Sequence, residues 1–373
     1  MKKDFKHIAF LDFLRGFAIF YVFTYHLHEL TYGKVFAQWD EWIIKLPERV
    51  TTWLLLPISF GWTGVALFFV ISGFCIHLSF ESNANQSNTT FLIRRFLRLY
   101  PVYLLALVFF AGGVSFSKIT GQFESHLFLI HNFGNGTFYG INASFWSIAV
   151  EFQLYLLYPV LRYMVRKTCW TKTLIYLGII EFGLRLGSSL NFALSGSEFE
   201  RVITGAPFYF WFSWAIGAFI ADLYVKGKQL PLQRVPLWLF PLLTVVSDFY
   251  KPIMELSFPF ASISYAVLIV WFLGKQSALK EKSVGFFYRH LSFVGIFSYS
   301  VYLIHQPILV KYSDAIRDTY LWILRYPFSW YLFSHVLWLV VLALSYILYL
   351  CIERPSMKCS KRLKEKLSSL AND

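Results

Sequence analysis

An apolar stretch near the N-terminus, LDFLRGFAIFYVFTYHLHEL (residues 11–30), contains Asp12, Arg15, His26 and Glu29. A helix needs about 20 mostly apolar residues to cross a bilayer, so the length of this stretch predicts a membrane-spanning helix. An ionisable side chain inside such a helix costs at least ~2–3 kcal/mol and normally faces a cavity or a partner rather than lipid. The stretch therefore predicts a membrane helix with one polar side.

The rest of the chain has the composition of a membrane protein. Its 373 residues are 57% hydrophobic and 15% charged, whereas about a quarter of the residues in a soluble domain are charged. The basic opening MKKDFKHIAF resembles the start of a signal peptide. However, the apolar run that follows is too long and has no small-residue cleavage site, which favours a retained first span. Four cysteines without a CxxC pair predict neither a disulfide framework nor a metal site.

The hydrophobic pattern predicts an all-α, polytopic integral membrane protein with about ten transmembrane helices. The predicted spans are residues 9–28, 60–80, 99–117, 144–163, 172–190, 205–225, 236–250, 258–274, 291–310 and 330–351. With the N-terminus in the cytoplasm, roughly two-thirds of Lys and Arg fall on the cytoplasmic side, which also holds the C-terminus. The net charge of +13 is therefore interpreted as a topology signal, and no nucleic-acid partner is expected. We expect a transmembrane domain over residues 1–355 and a basic cytoplasmic tail over residues 356–373.

Arg15 and His26 lie eleven positions apart in the first predicted span. Eleven residues are about three helical turns, so both side chains lie on one helix face, ~16 Å apart. The pair is either a structural hydrogen-bonding anchor or part of a reaction site. Histidine titrates near neutral pH and can take a proton from a hydroxyl group. Arginine keeps its charge and binds an anion or fixes a carboxylate such as Asp12.

Three arginines, Arg94, Arg95 and Arg98, lie in the stretch FLIRRFLRLYPVY at the cytoplasmic end of the third span. They are either a positive-inside anchor or a surface that binds phosphate groups. Glu353, in the stretch YLCIERPSMK at the end of the last span, is a candidate to pair with one of them.

Two further spans contain ionisable side chains. Glu151 lies in FWSIAVEFQLYLLYP, about two turns into the fourth span, and its candidate partner is His26. An unrelated packing hydrogen bond is the alternative. His305 precedes Pro307 in IFSYSVYLIHQPILV. It belongs either to the site or to a hydrogen bond with a carbonyl group that the proline leaves unpaired.

Taken together, these stretches resemble the membrane acyltransferase-3 family, the ten-helix O-acyltransferases that modify polysaccharides and other extracytoplasmic acceptors. The resemblance covers nearly the whole chain. It is carried by Arg-x10-His (Arg15, His26), LFFVISGF, the RRxxR cluster (Arg94, Arg95, Arg98), WSIAVEFQLYLLYP, SYSVYLIHQP and the Glu-x-Pro ending (Glu353, Pro355).

The resemblance implies transfer from acetyl-coenzyme A, a cytosolic donor substrate rather than a bound cofactor, to a hydroxyl of an exopolysaccharide, O-antigen or lipid-linked glycan. It also implies a multi-pass location among the lipids of a bacterial inner membrane. The implied roles are catalysis for His26, Arg15 and Glu151, donor binding for Arg94, Arg95, Arg98 and Glu353, and acceptor binding for His305 and Trp146. Arg15 and His26 would then line one conduit between donor and acceptor. The sequence ends without a fused hydrolase-like domain, so the stand-alone form of the family is expected.

One position departs from the family pattern, because relatives often have an acidic residue in GVDLFF where this chain has Ala66. If that carboxylate orients the histidine, Glu151 or another group must do so here. A catalytically inactive sensor is therefore one alternative function. A transporter or flippase of a lipid-linked sugar or small molecule is another, although such proteins often have repeated halves and no duplication is detected in this sequence. Consumption of the thioester separates the enzyme from the transporter.

Overall fold

The computed structural model describes residues 8–32, 39–45, 53, 55–82, 87–112, 121–275, 285–311, 318 and 327–370. Most of these residues are helical, which confirms the all-α prediction. The helices are α1 (Ala9–Tyr32), α2 (Leu56–Ser59), α3 (Thr63–Glu81), α4 (Asn88–Ala111), α5 (Gln122–Leu127), α6 (Phe145–Lys167), α7 (Trp170–Ser195), α8 (Arg201–Thr204), α9 (Trp211–Val225), α10 (Leu239–Asp248), α11 (Ser257–Gly274), α12 (Phe286–Ile296), α13 (Ser298–Lys311), α14 (Pro327–Leu348) and α15 (Arg354–Leu370). Two two-residue strands, Trp39–Asp40 and Ile43–Ile44, form an antiparallel ribbon.

Local sequence accounts for several helix ends. Helix α4 begins after Ser87, whose hydroxyl oxygen accepts a hydrogen bond of 3.1 Å from the backbone N–H of Thr90, as an N-cap serine does. Helix α7 ends at Gly196, which has a φ of 71°, a left-handed conformation that glycine adopts without steric cost.

Five helical segments of the described chain are long and apolar enough to cross a membrane. They are Thr63–Glu81, Phe145–Lys167, Trp170–Ser195, Lys251–Gly274 and Val336–Leu363. A sixth is counted if α12 and α13, which meet at 86°, form one broken span. The other predicted spans fall on helices that are shorter, such as the ten-residue α10, or that carry more polar side chains, such as α1. The count of ten spans stays a prediction.

Glycines bring α1 unusually close to its neighbours. A Cβ atom added to Gly16 would lie 1.8 Å from the carbonyl oxygen of Leu291 in α12, and one added to Gly295 would lie 1.8 Å from that of Asp12. On another side of α1, a Cβ atom at Gly64 of α3 would lie 2.6 Å from the carbonyl oxygen of Ala18. No larger residue fits at such a backbone contact. Helix α1, which carries Arg15 and His26, is therefore held tightly between α3 and α12.

Candidate functional site

A cavity of about 130 Å³ lies between α1, α3, α4, α6, α12, α13 and the end of the last long helix. We call it the arginine cavity. Its charged lining residues come from four distant parts of the sequence, and each belongs to a stretch singled out above. They are Arg15, Arg95, Arg98, Glu151 and Glu353, with the phenol of Tyr155 beside them. The fold therefore brings together five of the nine predicted site residues.

Arg15 is held on both sides. Its Nη1 donates a hydrogen bond of 2.9 Å to Oδ1 of Asp12, one turn earlier in α1, and its Nη2 donates to Sγ of Cys75 in α3 at 3.0 Å. The prediction that Arg15 fixes the Asp12 carboxylate is confirmed. The guanidinium group thus has a set orientation in the cavity wall.

The three arginines of α4 do not all lie in the same place, because only two of them line the arginine cavity. Arg95 is 8% exposed, and its Nε has no hydrogen-bond partner among the described residues. Arg95 and Arg98 line the arginine cavity. Arg94 does not line it, and its backbone carbonyl oxygen instead accepts a hydrogen bond of 3.1 Å from Ser360 of α15. A buried donor in a cavity wall is suited to binding a ligand, so Arg95 and Arg98 are the stronger candidates for an anion site.

Glu151 does not pair with His26, because the two residues line different cavities. Helix α6 begins at Phe145, so Glu151 lies ~9 Å further along the helix axis. Its Oε1 accepts a hydrogen bond of 2.5 Å from the hydroxyl of Tyr155. Of the two alternatives for Glu151, the packing hydrogen bond is therefore the one observed, and Glu151 lines the same cavity as the arginines.

Glu353 is 4% exposed and ends a π-helical turn, Tyr349–Glu353. Single π-helical turns are frequent at functional sites. Its Oε2 accepts a hydrogen bond of 2.5 Å from the hydroxyl of Ser300 in α13. It shares the cavity wall with Arg95 and Arg98, so the last long helix supplies a carboxylate to the same cavity as the arginines.

A second cavity of about 560 Å³ lies beside the C-terminal half of α1. We call it the histidine cavity. Its volume is within the ~300–1,000 Å³ that is usual for sites of small ligands. Its lining combines ionisable, hydroxyl and aromatic groups, among them His26, Glu29, Trp62, Tyr139, Ser144, Trp146, Arg185, Glu198, Arg201 and Glu255.

His26 has a carboxylate neighbour that the sequence analysis did not assign to the site. Nδ1 of His26 lies 3.6 Å from Oε2 of Glu29, and the two side chains are 22% and 27% exposed. The spacing of three residues places both on one side of α1. The signal was present in the HLHE stretch as His-x-x-Glu. The arrangement matches an imidazole oriented by a carboxylate, with the other ring nitrogen available to a ligand.

His305 lies behind His26 rather than in the cavity wall. It is 0% exposed, and its ring centre is 5.5 Å from that of His26. Its Nδ1 lies 2.8 Å from the carbonyl oxygen of Tyr302, and a carbonyl oxygen only accepts, so Nδ1 carries the proton. The carbonyl group that Pro307 leaves unpaired belongs to Leu303 and accepts from the side-chain amide of Asn142 at 2.8 Å. The alternative role predicted for His305, a hydrogen bond to that carbonyl, was therefore wrong.

His28, two positions after His26, is 6% exposed and packs inside the protein. It lines neither cavity. Since the same helix places His26 and His28 in different surroundings, substitutions at the two positions can be compared directly.

Aromatic rings form one wall of the histidine cavity. The ring of Trp146 stacks on that of Phe138, with centres 5.5 Å apart and an interplanar angle of 18°, and it also contacts Phe210. Flat aromatic faces of this kind pack against the apolar faces of a ligand, while hydroxyl and carboxylate groups at the rim bind its polar atoms. The prediction that Trp146 faces a ligand site is consistent with this position.

Two arginines of the histidine cavity were missed, and each has a carboxylate partner. Nη1 of Arg185 lies 3.2 Å from Oε2 of Glu255, and Nε lies 3.5 Å from Oε1 of Glu181. Nη2 of Arg201 lies 3.1 Å from Oε2 of Glu198. The Glu-x-x-x-Arg spacing of Glu181 and Arg185 inside an apolar stretch was a signal that could have identified the first. The two cations are therefore neutralised by protein carboxylates.

Arg15 lines the arginine cavity, and His26 lines the histidine cavity. They line separate cavities that share two wall residues, Val65 of α3 and Tyr302 of α13. Ala66, at the position where an acidic residue was expected, is 0% exposed, packs in an apolar cluster and lines neither cavity. Helix packing thus divides the predicted conduit into a basic part and a part with an imidazole and aromatic rings.

Comparison with known proteins supports the resemblance. The model of the acyltransferase-3 family, described as an acyltransferase domain, matches residues 8–352. The chain is 25% identical over 350 residues to the peptidoglycan O-acetyltransferase OatA of Listeria monocytogenes, a match of 84% of this chain and 51% of that protein. It is 30% identical over 165 residues to the acyltransferase MdmB of Streptomyces mycarofaciens, a match of 41% of this chain and 39% of that protein. The chain therefore matches about half of the length of OatA and less than half of the length of MdmB. No solved structure is significantly similar to it.

Proposed function

Since the chain belongs to the acyltransferase-3 family and is therefore an acyltransferase, we propose that it moves an acetyl group from cytosolic acetyl-coenzyme A to a hydroxyl group of an extracytoplasmic glycan. The observation that carries this proposal is the pairing of two chemically different cavities with shared wall residues. One cavity suits a phosphorylated donor, and the other suits an acceptor hydroxyl beside a base.

Arg95 and Arg98 bind the phosphate groups of the donor in this proposal. Guanidinium groups match phosphate oxygens in geometry as well as charge. The arginine cavity, at about 130 Å³, is far smaller than a whole coenzyme A molecule. It therefore holds one part of the donor, while the remainder lies outside it on the cytoplasmic side.

His26 is the general base. The acceptor oxygen bonds to the acetyl carbonyl carbon, the bond between that carbon and the coenzyme A sulfur breaks, and His26 passes the hydroxyl proton to the leaving thiolate or to water. The carboxylate of Glu29, 3.6 Å from Nδ1, favours the tautomer with its proton on Nδ1, so that Nε2 accepts the proton of the acceptor. A base in this role contributes about 10²–10⁴-fold to the rate.

The acceptor is an uncharged saccharide. Each arginine of the histidine cavity already has a carboxylate partner at 3.1 or 3.2 Å, so neither is available to neutralise an anionic sugar. The aromatic wall that contains Trp146 supplies apolar contacts for a neutral pyranose ring. The relative from Listeria is named for peptidoglycan, and neutral units of peptidoglycan, exopolysaccharide or O-antigen are the acceptors we propose.

The proposed topology has ten spans in a bacterial inner membrane, with both termini in the cytoplasm. A cysteine introduced at Ser87, in a variant whose native cysteines are serines, should then resist an impermeant thiol reagent applied to intact cells. A cysteine at Gly136, where an added side chain meets nothing within 4 Å, should be labelled readily. The reverse labelling pattern would contradict the topology.

The function is tested by measuring thiol release from acetyl-coenzyme A by the purified protein in lipid nanodiscs, with neutral glycan fragments as acceptors. We expect acceptor-dependent release by the wild type and a loss of at least 100-fold in His26→Gln, because glutamine bonds but does not take the proton. His28→Gln should keep most of the activity. A protein that moves a glycan across the bilayer without consuming the thioester is a transporter, and substantial turnover by His26→Gln would refute the base.

A further inference from the structure

Val65 and Tyr302 line both the arginine cavity and the histidine cavity. They come from different helices, α3 and α13, and they stand between the groups that the proposed function assigns to donor and acceptor. Arg15 and His26 are ~16 Å apart along α1. A thioester whose phosphates are held near the arginines must therefore pass between Val65 and Tyr302 before its carbonyl carbon meets an acceptor hydroxyl beside His26.

The Tyr302 ring is held in place from several directions. Its hydroxyl group lies 2.7 Å from Oγ of Ser147 in α6. Oγ of Ser147 also lies 3.2 Å from the carbonyl oxygen of Ser144, so the Tyr302 hydroxyl is part of a hydrogen-bonded chain that ends on the backbone of α6. The edge of the ring contacts Phe68, with ring centres 5.7 Å apart. Tyr302 is 8% exposed, so it has little room to change rotamer.

Val65 of α3 is the other side chain that lines both cavities. A β-branched side chain in a helix has one strongly preferred χ1 rotamer, so Val65 is stiff as well. Close-packed interiors resist the addition of even one methylene group. A passage between two fixed side chains therefore discriminates by size rather than adapting to its contents.

We propose that Val65 and Tyr302 form a constriction between the two cavities that admits an acetyl group and excludes longer acyl chains. The two residues determine acyl-chain length and take no part in the proton transfer. This inference rests on the proposed acetyl transfer, and it adds to that function a structural reason for a short acyl donor.

The test compares acetyl-, butyryl- and octanoyl-coenzyme A as donors for the wild type and for Val65→Ala. We expect the wild type to prefer acetyl-coenzyme A. The wider passage in Val65→Ala should raise the butyryl-to-acetyl ratio of kcat/KM by at least tenfold. Val70→Ala is the matched control, because Val70 is a 0% exposed valine of the same helix that lines neither cavity. Its ratio should equal that of the wild type.

Val65→Phe provides a second, opposite change. The larger ring should narrow the passage and lower acetyl transfer at least tenfold while the dissociation constant of acetyl-coenzyme A stays within twofold. Unchanged chain-length preference in Val65→Ala, or full transfer by Val65→Phe, would overturn the constriction while acetyl transfer by the wild type leaves the proposed function intact. A wild type that consumes no acyl-coenzyme A would overturn both.

Discussion

The carboxylate of Glu29 offers a direct test of how the histidine cavity works. Replacement by glutamine keeps the size of the side chain but removes the negative charge that lies 3.6 Å from Nδ1 of His26. During transfer, His26 gains a proton and a positive charge. Glu29 stabilises that charged state and the Nδ1-protonated tautomer that precedes it, so Glu29→Gln should slow the chemical step.

The size of the effect follows from the distance and the exposure of the pair. Two unit charges 3.6 Å apart attract by roughly 4.6 kcal/mol at an effective dielectric constant of 20 and by roughly 1.2 kcal/mol in water. The side chains are 22% and 27% exposed, and exposed pairs are weakened by solvent, so we take ~1–2 kcal/mol. At about 1.4 kcal/mol per factor of ten, the expected loss in kcat is roughly 5–30-fold.

The assay is steady-state release of coenzyme A by protein in nanodiscs, with kcat and the KM of donor and acceptor determined separately. Glu29→Gln should lower kcat and leave both KM values within about twofold, because the charge interaction grows only as the proton moves. Glu29→Asp should recover part of the rate. Glu124→Gln, the same change at an exposed position of α5, is the control. An unchanged kcat, or a rise in KM alone, would refute the reasoning.

Three further predictions concern the donor, the packing and pH. Replacing Arg95 and Arg98 with lysine should raise the KM of acetyl-coenzyme A at least tenfold while membrane insertion and net charge are preserved; unchanged donor affinity would leave the cluster as a topology anchor. Gly295→Ala should lower the melting temperature in detergent, although alanine at an open helical site would be stabilising. The added Cβ atom would lie 1.8 Å from the carbonyl oxygen of Asp12, so the helices must separate by about 1.6 Å to reach a contact distance of 3.4 Å (3.4 − 1.8). An unchanged melting temperature would argue against this packing. Burial lowers the pKa of His131, which lies between α5 and α6, from 6.5 to about 3. As pH falls from ~6.5 towards 3, the unfolded chain therefore gains a proton that the folded protein does not, and stability should be lost by up to ~1.4 kcal/mol per pH unit. His131→Phe should flatten the dependence of melting temperature on pH over this range, and an equally steep dependence in that variant would assign it to other groups.

The all-α class depends on local features, which is why the sequence alone predicted it. Hydrophobic periodicity acts over a few residues, so the helical class followed without tertiary information. The shared face of Arg15 and His26 also followed, because the pitch of one helix determines it. Motif order was sufficient for the family.

The grouping of the site residues was decided by helix packing. Helical periodicity does not say which side of α4 faces the protein interior. In the folded protein Arg95 and Arg98 line the arginine cavity, whereas the backbone carbonyl group of Arg94 accepts a hydrogen bond from Ser360 of α15. Helical periodicity also does not give the position of Glu151 along its helix relative to His26 in α1. That position places the two residues in different cavities.

The division of the predicted conduit was likewise a tertiary outcome. Val65 and Tyr302 are 237 positions apart in the sequence (302 − 65), and neither stands out in an apolar stretch. They line the same two cavities because α3 and α13 both pack on α1. For α3, the contact of Gly64 with the main-chain carbonyl group of Ala18 sets the distance to α1. The sequence carries the chemical groups and their helical spacing, but the distances between helices decide which groups share a cavity, since those distances depend on every side chain in the interface.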